Sequence, residues 1–150
     1  MRTRFAAVVL LALALPAVTN AQAPALNWGP APDVFAPGSK MAVLQGDPSQ
    51  AALFTVRLEM PDGYRIAPHY HPTDEHITVI SGTFLVGMGD SLDAAKATAL
   101  PAGGFVTAAA AMHHFAIARG RTVVQVHAMG PFALTYVNAK DDPRTKTSGK

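Results

Sequence analysis

The chain contains no cysteine. Disulfides are therefore excluded, and the core alone must hold the fold. Thiolate metal sites and thiol nucleophiles are excluded with them. Any bound metal must take histidine, carboxylate or carbonyl ligands. Charge is scarce as well, with 15% of residues Asp, Glu, Lys or Arg. The formal net charge is +2, and Arg2 and Arg4 supply it. Without the first 21 residues, the chain carries no net charge before its termini. No Lys/Arg cluster with interleaved aromatics occurs, so the electrostatic footprint of a nucleic-acid binder is missing. Phosphate-cradling glycine loops and Gly-x-Ser-x-Gly elbows are missing too, which argues against nucleotide chemistry and serine hydrolysis.

Long apolar runs are also lacking. The one candidate, residues 5–15, is shorter than the roughly 20 residues a bilayer span needs. Arg2 and Arg4 precede it, Pro16 breaks it, and small residues follow. This is the layout of a secretory signal peptide cleaved after Ala21, within Thr19-Asn20-Ala21. The expected product is periplasmic or secreted, with no membrane segment after cleavage.

The full sequence is 49% hydrophobic, and the roughly 129 residues after Ala21 suffice for a single globular domain. Residues 22–39 are rich in proline and read as an arm, with Trp28 and Phe35 as isolated apolar anchors. Residues 40–139 carry a series of short strand-like runs, among them "KMAVLQ", "LFTVRLEM", "HITVISG", "TFLVGMGD", "HFAIA" and "TVVQVHAMG". Glycine and proline punctuate them. Ser81-Gly82 reads as a hairpin turn and Gly120 as a break between strands. "SLDAAKATAL" (residues 91–100) is the single helix-like segment, equally readable as a loop with one helical turn. Residues 140–150 form a polar tail expected to fray. The series predicts an all-β, antiparallel sandwich or barrel.

The chemistry concentrates in "GYRIAPHYHPTDEHITVISG", residues 63–82. Residues two apart in an extended chain share a face, so His69 and His71 project together and Tyr70 away from them. A turn at "PTD" lets Glu75 return to the same site. Within the strand that follows, Glu75, Ile77 and Val79 share one face, and His76 takes the other. Two imidazoles and a carboxylate suit one divalent transition metal, with Fe, Mn, Ni, Cu and Zn all compatible.

The spacing Gly63, His69, His71, Glu75, Gly82 resembles the first motif of the cupin superfamily at every specified position. The resemblance implies a cupin-type double-stranded β-helix, a jelly-roll barrel, with Gly63 and Gly82 as structural glycines. It also implies a fourth ligand from a second motif, Pro-x-Gly-x-x-His-x-x-x-Asn. In "FVTAAAAMHHFAIARG" only the histidine of that motif remains. With His114 in that place, Ala109, Ala111 and Ala118 stand for its Pro, Gly and Asn. Strand alternation favours His114, which shares a face with Ala116 and Ala118, while Phe115 and Ile117 take the other. His113 is the alternative.

Further candidates depend on which way their strands face. Gln125 and His127 share a face, and Arg57 alternates with Val56 and Leu58. Pointing inward, these residues and His113 would contact a substrate or support the ligands. Met88 and Met112 would face the cavity on the same condition. The resemblance implies a metal-binding protein acting on a small organic molecule, and the N-terminal pattern implies its export. A dioxygenase-like metalloenzyme is the leading form, and a non-catalytic metal- or ligand-binding protein the alternative. Exposed sheet edges make a homodimer an expectation.

Overall fold

Period-two alternation, interrupted by glycine and proline, yields nine strands in the computed structural model, which describes residues 25–147. The expected signal peptide lies outside the described residues. The strands are β1 (Gly29–Pro30), β2 (Lys40–Gln45), β3 (Leu53–Met60), β4 (Arg65–Tyr70) and β5 (Glu75–Met88). They continue with β6 (Thr98–Pro101), β7 (Phe105–Ala108), β8 (His114–Met129) and β9 (Thr135–Tyr136). Every pairing is antiparallel. The strands run β1-β2-β3-β8-β4-β9, and β5 adds β6 and β7 to the far side of β8. The sheet curls into a half-barrel, as the all-β, jelly-roll expectation requires.

Two expected turns are bends instead. The runs on either side of Gly82 form one strand, β5, and those on either side of Gly120 form one strand, β8. The two long strands pair from Glu75↔Ala128 to Met88↔His114, with register shifts around Ser81. Gly82 (φ +76°) and Gly120 (φ +69°) adopt left-handed backbone at the bend. The same property that makes glycine a turn residue here makes a bulge, and the ladder continues past it. Thr122, fully buried at the bend, donates its hydroxyl to the Thr83 carbonyl at 3.1 Å.

The helix-like segment resolves into a single 3-10 turn, Ala94–Lys96, capped by Asp93. Its C-terminal part, β6, is a strand paired with Thr83 to Val86 of β5. Tertiary pairing overrides the helical propensity of the alanines. The tail contains local helical structure. Asn138 caps a 3-10 turn at Ala139–Asp141, and α1 (Pro143–Thr147) follows.

The core follows from the inward positions of the long strands. Phe54, Val56, Leu58 and Met60 of β3 pack with Ile77 and Val79 of β5 and Val124 and Val126 of β8. Each such side chain contributes about 1.5–3 kcal/mol through burial. A smaller cluster of Leu85, Phe115 and Ile117 lies on the opposite face. Phe115 fits there because residue 87 is glycine, since a Cβ at that position would meet the ring at 2.2 Å. The arm does more than cover the barrel. β1 adds to β2, and Val34 and Phe35 are buried in the main core.

Candidate metal centre

Three strand ends place the cluster. His69 lies near the end of β4, with His71 just beyond it. Glu75 opens β5, and His114 opens β8. His69 and His114 are register partners, so the pairing of β4 with β8 brings their rings to 4.2 Å between centroids, tilted against each other. The His71 ring stands edge-on to His69 at 5.0 Å.

Each imidazole is held by its Nδ1. His69 donates to the Ala67 carbonyl at 2.7 Å, His71 to the Ala133 carbonyl at 2.8 Å and His114 to the Met112 carbonyl at 3.0 Å. A carbonyl can only accept, so each Nδ1 carries the proton, and each Nε2 presents a lone pair. One ligand nitrogen from each ring lies within 4.8 Å of the other two. His71 Nε2 is buried without a hydrogen-bond partner. It lies 3.4 Å from Glu75 Oε2 without the alignment of a hydrogen bond, and His114 Nε2 lies 3.9 Å from the same oxygen.

The electrostatics agree with this arrangement. Burial pushes all three imidazoles below their ordinary value, and at His69 repulsion from His114 and His71 adds to burial. They are therefore neutral at neutral pH. Burial raises Glu75 to about 7, with His114 opposing the rise. Converging lone pairs, an orphaned buried nitrogen and a strained carboxylate fit a divalent transition cation. The imidazole majority favours Fe, Mn, Ni, Cu or Zn over harder ions.

The remaining sequence candidates lie elsewhere. His76 faces outward, bonded to Thr107 and stacked on Phe105. His113 also sits outside, its Nδ1 2.6 Å from Asp90 Oδ1 and its ring stacked on Tyr70. The inward orientation considered for Gln125, His127 and Arg57 does not occur. Val124 and Val126 take the cavity side of β8 and Val56 and Leu58 that of β3, so alternation turns these three out. There Arg57 Nε donates to Gln125 Oε1, and His127 Nδ1 pairs with Thr55 Oγ1. Met88 and Met112 are exposed rather than cavity-facing. Gly63 and Gly82 both have positive φ, which explains glycine at each.

Four aromatic residues shape the site, and sequence reasoning singles out only Phe35 among them, as an anchor of the arm. The imidazoles and Glu75 line an otherwise apolar cavity of about 30 Å³, and Phe35 and Phe132 form part of its wall. Their rings stack at 6.0 Å, and Phe132 also lies 5.5 Å from the His71 ring. Tyr136 donates to the Val34 carbonyl at 2.8 Å and Tyr64 to the Ala36 carbonyl at 2.5 Å. The two tyrosines thus pin the arm on both sides of Phe35. Only a contact across 102 residues reveals this role for Tyr136, and no local spacing signals it.

The profile described as the ChrR cupin-like domain matches residues 18–133. The chain belongs to the cupin superfamily. No curated protein matches this cupin. Among solved structures, it is similar to the polyketide cyclase RemF from Streptomyces resistomycificus, with a TM-score of 0.64 and 16% identity. That match covers 82% of this chain and 87% of the other. A proposed acetylacetone dioxygenase from Methylibium petroleiphilum matches with a TM-score of 0.60 and 21% identity, covering 79% of each chain. An oxalate oxidase matches with a TM-score of 0.55 and 21% identity, covering 73% of this cupin and 60% of that chain. At these identities the likenesses establish the fold.

Proposed function

We propose that this cupin is an exported metalloenzyme with dioxygenase-like activity on a small organic substrate. The observation that carries the proposal is the convergence of three buried, neutral imidazoles beside Glu75 in an apolar cavity. His69, His71 and His114 would hold the metal through Nε2, and Glu75 would complete the set through Oε2. A bound divalent metal would supply Lewis acidity and adjacent positions for substrate and oxygen. The chain's own contribution is orientation and exclusion of water. The Ala67, Ala133 and Met112 carbonyls fix the imidazole tautomers, and Phe35 and Phe132 keep the site dry. Burial raises Glu75 to about 7, so without metal its carboxyl is partly protonated near neutrality, and a bound cation would displace that proton. The dioxygenase and oxidase among the solved neighbours support the reaction class by analogy.

A second reading, metal or ligand binding without turnover, has one observation in its favour. Besides the four proposed ligands, no acid or base among the described residues lines the cavity. Oxygen uptake separates the two. Protein reconstituted in turn with Fe(II), Mn(II) and Ni(II) is tested against phenols, thiols and β-diketones. Uptake stoichiometric with substrate loss supports the enzyme, and loaded protein inert across all panels supports the binding protein. N-terminal sequencing of protein recovered outside the cytoplasm tests export and cleavage after Ala21. Sedimentation of the mature protein tests the proposed homodimer.

A further inference from the structure

The cavity walls constrain what the site can accept. Apart from His69, His71, Glu75 and His114, the lining is aliphatic or aromatic, with Leu58, Ile66, Ile77, Phe84 and Leu134 among it. No Lys, Arg, Ser, Thr, Asn or Gln of the described residues reaches it. A substrate bearing a second charged group would lose its hydration there and find no counter-ion.

The cavity is also too small as it stands. About 30 Å³ admits little more than one or two water molecules. A larger apolar cleft of about 260 Å³ adjoins it under the N-terminal arm, walled by Pro30, Pro32, Val43, Pro48 and Phe54. Cleft and cavity share Met41, Val56 and Phe132. Phe132 also borders a third space of about 10 Å³, next to His71 and Glu75. Its ring therefore stands between the cleft and the metal ligands.

The backbone around Phe132 is fixed. Phe132 N donates to the Pro48 carbonyl at 2.7 Å, and the next carbonyl, that of Ala133, accepts from His71 Nδ1. The ring is half-buried. The ring lies 6.1 Å from that of Phe54 on the cleft wall and 5.5 Å from that of His71, so its side chain, rather than its tied backbone, is the part free to move.

We propose that the site takes a small uncharged molecule with an apolar body and one metal-directed polar group. It arrives through the cleft beneath the arm, and Phe132 sets the size it admits. This proposal rests on the reading of the histidine cluster as a metal site.

The test uses zinc-loaded full mature protein, where zinc allows binding without redox turnover, and metal content is measured first. Calorimetric titration compares p-cresol with 4-hydroxybenzoate, which differ by a methyl against a carboxylate. The expected result is at least tenfold tighter binding of p-cresol. Phe132→Ala is expected to bind 4-tert-butylphenol, which the parent protein excludes. Equal or tighter binding of 4-hydroxybenzoate, or no binding of either compound, overturns the proposal. So does an unchanged size limit in a folded Phe132→Ala protein. If that variant fails to fold, the probe pair on the parent protein still decides the ligand class. Failure to take up zinc sinks the metal reading by itself. A surviving preference for p-cresol in such protein would uphold the cavity's selectivity.

Discussion

His71 Nε2 and Glu75 Oε2 lie 3.4 Å apart, both buried, without a hydrogen bond between them. A buried acceptor nitrogen beside a buried carboxylate is costly unless a cation or proton joins them. The raised pKa of Glu75, about 7, expresses that cost.

A pH dependence follows for the metal-free protein. Because folding raises the Glu75 pKa from 4.5 to about 7, its contribution is fully present below pH 4.5 and is lost as pH rises through 7. The full loss is on the order of 3 kcal/mol. Glu75→Gln removes it, so the variant should gain thermal stability over the parent at pH 8 and gain least at pH 5. The three histidines act in the opposite sense. Their lowered values make stability present above pH 6.5 and lost as pH falls below it. Thermal melts of both proteins from pH 5 to 8 measure the difference, in which the histidine contribution largely cancels.

Ala111 is the one non-glycine of the described residues with positive φ, +61°. It occupies the position where the second cupin motif has glycine. Its N–H donates to the His71 carbonyl, which ties the loop to the histidine cluster. An L-residue pays about 1–2 kcal/mol there. Ala111→Gly should therefore stabilise the protein by about 1 kcal/mol, a rise of roughly 3 °C in Tm. An unchanged or lower melting temperature would contradict this.

The two motif glycines should differ in tolerance. At Gly63 a Cβ meets nothing within 4 Å, so Gly63→Ala carries only the left-handed backbone cost of about 1–2 kcal/mol. At Gly82 a Cβ would also sit 2.5 Å from the Arg121 carbonyl and 2.6 Å from Thr122 Oγ1. Gly82→Ala should be the more damaging change, by several kcal/mol against the bend of β5 and β8. Urea titration of both variants ranks them.

Tyr136→Phe removes one buried hydrogen bond and leaves the Val34 carbonyl without its partner. A loss of about 1–2 kcal/mol is expected. Proteolysis should become faster within the arm, because Phe35 is no longer held from that side. Arm cleavage at the parent rate would remove Tyr136 from this role.

Local sequence carried much of this site because its geometry is local. His69 and His71 share a face through strand alternation, and Glu75 returns across a three-residue turn. Alternation from Phe115 likewise separates His114, which lines the cavity, from the outward His113. The facing of Arg57, Gln125 and His127 was not legible, because alternation defines two faces without saying which one the sheet curls around. The bends at Gly82 and Gly120 are indistinguishable from turns in the sequence, because positive φ serves both. Phe35 is legible as an anchor of the arm, but its meeting with Phe132 is not, because that contact depends on the arm crossing the barrel.

The most direct test of the central claim is elemental analysis of the mature protein, recovered from its export route without chelator, beside a His69→Ala/His71→Ala variant. The account predicts about one equivalent of Fe, Mn, Ni, Cu or Zn in the parent and none in the variant. No metal in the parent, or equal metal in both proteins, would contradict it.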